Sequence, residues 1–343
     1  MEKHLTARVL LYSPDLSGHR AAFLEFASAL LDGENSGATR IARDPRPALF
    51  LMIEDDVVRF VLLGFWRSLL GRRTVGFLFR PLPAIDGKSL RLRMKRAVLR
   101  ALRATGAVRI LTIIPIPLAP RIEKIASGWI YDLQLWDMGT DERALVTRLR
   151  GGDTVPGVAG DIYARIRERA GQRKVLVALG AQSRSKGFSV LADLGEIEGT
   201  EDWLIVTLGG VKTDQEPAKA RLEAKGHLVV DRFVADEELV AAYAAADAVW
   251  CLYDSVYDQA SGILGRALQF GVAPIVREGS LSHKLCIAES VPHLAAQDVG
   301  ACAVALNSLP VADPVQGEYL AQKFREASLA TLADHLFSTS TPR

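Results

Sequence analysis

Residues 227–281 read HLVVDRFVADEELVAAYAAADAVWCLYDSVYDQASGILGRALQFGVAPIVREGSL, and this stretch decides the fold. The apolar run LVV leads into the helical pattern DEELVAAYAAA, which is followed by a second apolar run at 248–253. After a polar loop at 254–262, another helical pattern stops at Gly271, just before a third apolar run at 273–276. Short apolar strands that alternate with helices predict a parallel sheet of the α/β class.

The same alternation extends over the whole chain. We predict strands at 8–12, 48–53, 74–79, 109–114, 130–136, 174–179, 203–208, 228–231, 248–253 and 273–276. A chain of 343 residues exceeds what one hydrophobic core usually supports. We therefore predict two Rossmann-like, doubly wound domains, at 1–150 and 151–315, and a C-terminal helix within 316–343 that could return to the first domain.

Composition excludes several classes of protein. The chain is 49% hydrophobic and 24% charged, as in soluble globular proteins. No apolar run reaches the length of a membrane span, and the first residues lack the apolar core of a signal peptide. The three cysteines follow no CxxC spacing, so neither a disulfide framework nor a zinc site is indicated. We expect a cytoplasmic protein.

The charges are unevenly distributed. Residues 1–150 hold 24 basic and 15 acidic residues (+9), whereas the remainder holds 18 and 25 (−7). Within 59–109 there are 13 basic residues and one acid. Residues 89–104 form a basic amphipathic helical pattern, which predicts contact with an anionic membrane surface. The alternative is a Rossmann helix whose apolar stripe (Leu90, Met94, Ala97, Val98, Ala101, Leu102) lies in the core. Nucleic acid is disfavoured, because no binding motif accompanies the charge.

The second half of the chain resembles the nucleotide-binding half of GT-B glycosyltransferases, and most closely that of the large retaining family 4. The segment 180–187, GAQSRSKG, resembles the G-R-L-x-x-x-K-G of that family. Lys186 and Gly187 match it, and the resemblance implies that Lys186 neutralises a nucleotide diphosphate. Ala181 stands where the family has arginine, and Arg184 is the candidate replacement. The implied fold is GT-B, with two Rossmann-like domains facing a central cleft.

The E-x7-E motif of the family is only partly present. Aligned on the glycine that ends the helix, Asp258 takes the first position, which contacts the donor sugar. Arg266 takes the second position and reverses its charge, so the carboxylate that binds ribose is absent. For Arg266 the alternative is a salt bridge with a nearby acid. Ser261 and Gly262 fall where helix-start amides meet the diphosphate. Arg232 either lines the base pocket or only packs.

The loop after the first predicted strand carries the acceptor-side candidates. It contains Ser17, Gly18 and His19. Inverting GT-B enzymes resemble this, with a Gly-His whose imidazole removes the proton of the acceptor hydroxyl. The alternative is a helix-start histidine that only caps the helix or is solvated. The acids at 54–56 are interpreted as favourable charges at a helix N-terminus, so no metal is assigned.

These observations predict a metal-independent transferase without a cofactor. It would move a sugar from a nucleotide-sugar donor to a lipid-linked or other oligosaccharide acceptor in bacterial-type surface polysaccharide biosynthesis. It would work at the inner face of the cell membrane, and resemblance to family 4 favours a retaining outcome. Two alternatives stay open. One is another GT-B enzyme, such as a sugar-nucleotide 2-epimerase, which needs no acceptor. The other is a non-catalytic GT-B-like protein that binds a glycan or a partner, in line with the departures at Ala181 and Arg266.

Overall fold

The structure, a computed structural model, describes residues 9–14 and 19–338. The chain divides into two compact units: Met1–Asp132 with Phe324–Arg343, and Leu133–Lys323. Within the described residues, each unit contains one parallel six-stranded sheet with helices between its strands. The prediction of an α/β fold with two doubly wound sheets is therefore confirmed.

The sheet of the first unit has the order β2-β1-β3-β4-β5-β6. Its strands are β1 (Leu10–Tyr12), β2 (Glu34–Asn35), β3 (Ala48–Phe50), β4 (Thr74–Leu78), β5 (Arg109–Thr112) and β6 (Gly128–Trp129). Its helices are α1 (His19–Leu31), α2 (Ala38–Arg43), α3 (Val57–Leu69), α4 (Pro81–Asp86) and α5 (Leu90–Thr105). Strands β3 and β4 are wholly buried, as expected for a sheet covered by helices on both faces.

The sheet of the second unit has the order β12-β11-β10-β7-β8-β9. Its strands are β7 (Lys174–Leu179), β8 (Trp203–Leu208), β9 (Leu228–Val230), β10 (Ala248–Cys251), β11 (Ala273–Arg277) and β12 (Leu294–Ala296). Its helices are α6 (Thr140–Arg150), α7 (Val158–Ala170), α8 (Phe188–Leu194), α9 (Glu216–Ala224), α10 (Asp236–Ala245), α11 (Gly262–Gln269), α12 (Leu281–Ala288) and α13 (Val299–Ala305). Helix α14 (Pro314–Phe337) contains the limit between the units, after Lys323. Among the described helices, none has the length and apolarity needed to cross a bilayer.

One predicted strand is wrong. The run 130–136 is not a strand: β6 precedes it, and Leu133–Leu135 forms a 3-10 turn. Its apolar side chains are buried, and the centroid of the Tyr131 ring lies 4.2 Å from that of Phe324 in α14. A short apolar run cannot distinguish a strand from another buried segment. The short edge strands β2 and β12 were not predicted from the sequence.

The order of strands fixes where each unit can bind a ligand. In the second unit the chain runs from β7 through β8 to β9 on one side, then returns to β10 on the other side of β7. In the first unit the corresponding reversal lies between β1 and β3. At such a reversal the loops at the carboxyl ends of the two strands diverge and leave a crevice, where open α/β sheets bind their ligands.

Candidate functional site

The loop that follows β7 is held tightly at the reversal point of the second sheet. Gly180 has a φ of +75°, in the left-handed region that favours glycine. A Cβ on Gly209, in the loop after β8, would lie only 2.1 Å from the carbonyl oxygen of Gly180. The amide of Gln182 donates to the carbonyl of Gly210 at 2.9 Å. The two loops are therefore packed backbone against backbone, which fixes the start of the 180–187 segment.

Lys186 ends the short 3-10 turn Arg184–Lys186 and is followed by Gly187, whose φ is +72°. Its ammonium lies 3.2 Å from where a Cβ of Gly180 would stand. Burial lowers the pKa of the half-buried Lys186, and the described residues supply neither a carboxylate within 4.0 Å nor a hydrogen bond for it. A partly desolvated cation without a counter-ion favours binding of an anion.

The start of α11 lies beside this ammonium. The Cδ1 atom of Ile263 is 3.8 Å from the same point above Gly180 that Lys186 approaches. Ser261 caps the helix, because its Oγ accepts from the amide of Leu264 at 3.4 Å. The structure thus brings together Lys186 and the N-terminus of α11, as the resemblance implies for a diphosphate site.

Two glycines allow α11 to reach this place. A Cβ on Gly262 would stand 1.8 Å from Oε1 of Gln134, and one on Gly265 would stand 2.5 Å from the carbonyl oxygen of Gln134. Helix α11 therefore packs directly on the 3-10 turn Leu133–Leu135. This contact is a positioning feature that the sequence analysis missed, because the turn is far from α11 in the sequence.

Asp258 joins two neighbouring loops. Its Oδ1 accepts from the amide of Leu281 at 2.8 Å, at the start of α12, and lies 3.7 Å from Nη2 of Arg277. Arg277 also donates through Nε to the carbonyl of Tyr253, at 3.2 Å. The carboxylate is about one third exposed, so it is tied to the loop after β11 while part of it stays accessible.

The remaining basic candidates differ in their surroundings. Arg184 is exposed, and its side chain forms no ion pair or hydrogen bond with the described residues. Arg232 pairs with Glu238, with Nη1 3.0 Å from Oε2, and Glu238 also accepts from the amide of Ala235 at the start of α10. Arg232 therefore supports the cap at the start of α10.

Arg266 forms the salt bridge that the sequence analysis kept as its alternative. Its Nη2 lies 3.0 Å from Oδ2 of Asp137, whose Oδ1 accepts from Nε2 of Gln269 at 3.0 Å. Burial raises the pKa of Asp137, and the positive charge of Arg266 acts in the opposite direction. The guanidinium thus fastens the segment after Leu133–Leu135 to α11.

The acceptor-side candidates fall at the limit of the described chain. Ser17 and Gly18 lie outside the described residues, and His19 is described only as the first residue of α1. Their roles stay predictions.

A polar network that the sequence analysis missed lies at the reversal point of the first sheet. The hydroxyl of Tyr12 donates to Oδ2 of Asp56 at 3.1 Å and accepts from Arg59. Met52 has a φ of +54°, which is unusual for a residue with a side chain. Burial raises the pKa of Glu54, whose Oε2 is buried and has no hydrogen-bond partner in the part of the chain that the structure describes. The position just after a strand at the reversal point was the available signal.

Within the described residues, no three His, Cys, Asp or Glu side chains are grouped to hold a metal ion. The three cysteines are buried free thiols, and burial raises their pKa values, that of Cys251 to about 12. They are therefore not reactive thiolates.

No family model and no curated protein matches the chain. Several solved structures are similar to it. Anabaena HepE, in complex with UDP, is 11% identical, with 96% of this chain and 100% of that chain covered and a TM-score of 0.60. A UDP-forming α,α-trehalose-phosphate synthase from Burkholderia xenovorans is 11% identical, covering 94% and 79%, with a TM-score of 0.57. The catalytic domain of starch synthase IV from Arabidopsis thaliana, bound to ADP and acarbose, is 13% identical, covering 94% and 78%, with a TM-score of 0.52.

At such low identities the likeness concerns the fold alone. The chain has the GT-B fold, as predicted from the sequence. The closer relation to family 4 stays a prediction.

Proposed function

We propose that this protein is a glycosyltransferase whose second unit binds a nucleotide-sugar donor. The observation that carries the proposal is Lys186, a half-buried ammonium beside Gly180 and the start of α11 that has no counter-ion among the described residues. The diphosphate of a nucleotide sugar supplies the missing negative charge at the place where doubly wound sheets bind ligands. Similar folds have been solved with UDP and with ADP bound.

In the proposed reaction, the bond between the anomeric carbon and the diphosphate oxygen breaks, and the nucleoside diphosphate leaves with the electron pair. Lys186, with Arg184, stabilises this developing charge electrostatically, in the place of a metal ion. The amides of Gly262 and Ile263 contribute as well, since the Oγ of Ser261 takes only that of Leu264. An acceptor hydroxyl forms the new bond to the anomeric carbon, and its proton passes to the departing diphosphate, or to His19 if the enzyme inverts.

The roles of the remaining candidates belong to the same proposal. Asp258 orients the donor sugar, and His19 contacts the acceptor, as general base if the enzyme inverts. Resemblance to family 4 favours a retaining outcome. Arg266 and Arg232, although engaged in ion pairs, border the donor, and Ser17 and Gly18 stand on the acceptor side.

The acceptor that we propose is a lipid-linked glycan in surface polysaccharide assembly, met at the inner face of the cell membrane. Support comes from the excess of basic residues in 59–109, where Arg91, Arg93 and Arg100 are exposed and make no ion pair with described residues. Such a surface attracts anionic lipid headgroups.

Calorimetric titration with UDP, GDP, TDP, ADP and CMP tests the donor site. For the nucleotide that binds, Lys186→Ala should weaken binding by roughly 1.5–3 kcal/mol, the value of a charge-assisted contact. The matched control is Lys225→Ala, which removes an exposed lysine at the end of α9.

The outcome also separates the alternatives. Unchanged affinity in Lys186→Ala would remove the proposed diphosphate contact. Binding of none of the nucleotides would favour a non-catalytic protein. Conversion of a sugar nucleotide into its epimer without an acceptor would favour an epimerase.

A further inference from the structure

Helix α3 presents its apolar side chains to solvent. Leu62 is 65% exposed and Phe65 57% exposed, and Val58, Trp66 and Leu69 are exposed by half or more. At 100° per residue these five side chains fall within an arc of about 100° on one face of the helix. The buried residues of α3 are Phe60, Gly64 and Arg67. The apolar stripe that normally faces a core therefore faces outward.

Helix α5 has the same arrangement. Leu90, Met94 and Val98, at intervals of four residues, are exposed, whereas Leu99 and Leu102 are buried. Of the apolar stripe predicted for residues 89–104, only Leu102 is therefore buried in the core. The rest of the stripe is exposed.

The two helices lie on the same side of the first sheet. They connect β3 to β4 and β4 to β5, two successive parallel crossovers in the same direction. Because such crossovers are right-handed, both helices cover the same face. Helix α3 also reaches the segment between α5 and β5, since a Cβ on Gly64 would lie 2.3 Å from the side chain of Val108. The exposed apolar residues of α3 and α5 therefore belong to one side of the unit.

The charges around this apolar face are positive. The acids nearest in sequence are neutralised: Asp86 lies 2.9 Å from Arg121, Asp55 pairs with Arg20, and Asp56 with Arg59. Arg91, Arg93 and Arg100 of α5 remain exposed without an ion pair in the described part of the chain. A two-fold contact between two copies of this face would bring like charges together, whereas an anionic bilayer complements both the apolar and the basic residues.

We propose that α3 and α5 form a membrane-insertion surface on which α3 is the inserted element. Leu62, Phe65, Trp66 and Leu69 enter the boundary between headgroups and acyl chains, and the arginines of α5 contact lipid phosphates. This deepens the membrane contact of the proposed function by adding a hydrophobic component that salt does not screen. The proposal does not depend on the identity of the donor.

Trp66 provides a direct probe of insertion. It is exposed, whereas Trp129, Trp136, Trp203 and Trp250 are buried or half-buried. The unmodified protein should bind vesicles of equal parts phosphatidylglycerol and phosphatidylcholine. Bromine atoms on the acyl chains should then quench the tryptophan fluorescence. The quenching should disappear in Trp66→Phe. Bound protein without quenching would mean a purely electrostatic contact and would overturn the inference.

A second measurement uses Leu62→Ser/Phe65→Ser. At high salt, vesicle partitioning of the variant should fall by on the order of tenfold or more, since each buried apolar side chain contributes strongly to transfer from water. The matched control is Val304→Ser/Val311→Ser, at two exposed apolar residues of the second unit. Equal loss in the two variants would contradict an insertion role for α3.

Two further readouts complete the test. The parent protein could instead fail to bind vesicles and form a dimer, while the Leu62→Ser/Phe65→Ser variant is monomeric. This result would assign the face to a second copy and overturn the proposal. Nucleoside diphosphate affinity should be the same in the variant and the parent. Nucleotide affinity therefore tests the donor site, and vesicle binding tests the membrane surface, so either proposal can fail without the other.

Discussion

At the level of single residues, two buried polar side chains, one in each unit, depend on specific hydrogen bonds to the backbone. Arg67 is fully buried, and its guanidinium donates to Oγ1 of Thr74 and to the carbonyls of Ile41, Asp44, Arg46 and Arg73. Burial lowers its pKa to about 10. His227 is the corresponding case in the second unit: Nδ1 accepts from the amide of Ile205 at 3.2 Å, and Nε2 is buried with no hydrogen-bond partner among the described residues.

His227 should make stability depend on pH. Burial lowers its pKa to about 4, below the ordinary value of 6.5. Between these values the unfolded chain binds a proton that the folded chain does not. Stability is therefore fully present above pH 6.5 and is lost as the pH falls towards 4, by up to about 3 kcal/mol.

Urea unfolding between pH 7 and pH 4 measures this effect. In His227→Asn, whose amide oxygen can replace Nδ1 as acceptor, the loss over this range should be smaller than in the parent. An equal loss in both proteins would assign the pH dependence to other groups.

At the scale of elements, the sequence predicts those strands whose apolar runs are bounded by turn residues. The strands β7 and β8 have the predicted limits, because each is an interior strand of six residues that is buried throughout, except for the exposed Lys174 at the start of β7. The sequence could not predict the contact of α11 with Leu133–Leu135, nor the pair of Arg266 and Asp137, because the partners are more than 120 residues apart. The sequence identifies Lys186 as a motif residue, but only the three-dimensional surroundings show that no described residue supplies its counter-ion.

The α11 contact predicts a difference between two helical glycines of one unit. Gly265→Ala should lower the free energy of unfolding by roughly 1–3 kcal/mol, because its Cβ meets backbone atoms that must shift. It should also weaken nucleotide binding, since the start of α11 moves. Gly300→Ala in α13 is the matched control: its Cβ would lie 3.4 Å from a side-chain oxygen of Asp298, so it should be neutral or slightly stabilising. If both variants had the same free energy of unfolding, the turn Leu133–Leu135 would be able to shift without a loss of stability.

For the whole molecule, the structure shows which basic residues of 59–109 serve the interior and which lie on the surface. The basic excess of 59–109 includes Arg67, which serves the interior, and Arg96 and Arg103, which donate to the carbonyls of Ile85 and Ala126. Composition alone could not distinguish these structural arginines from the exposed arginines of α5 that form no ion pair with described residues. In a residue count, each of them is simply one basic residue.

This separation defines a charge variant that leaves the fold intact. Arg91→Gln/Arg93→Gln/Arg100→Gln should weaken binding to anionic vesicles at low salt by about 1 kcal/mol for each cation engaged. The control variant, Arg165→Gln/Arg167→Gln/Lys225→Gln, removes the same charge from exposed positions of the second unit. Sedimentation with phosphatidylglycerol vesicles that is reduced equally in both would indicate a dependence on net charge only.

The position of the unit limit inside α14 has a consequence for synthesis on the ribosome. Phe324, Leu332 and Leu336 are buried in the first unit, and the amide of Tyr131 donates to Oγ of Ser328 at 3.1 Å. A nascent chain therefore contains every residue of the second unit before it contains all those of the first. The usual vectorial order, in which the N-terminal part folds first, is reversed here for the final packing step. Until α14 emerges, the strands of the first unit have an incomplete core, so we expect them to be the part of the nascent chain most prone to aggregation.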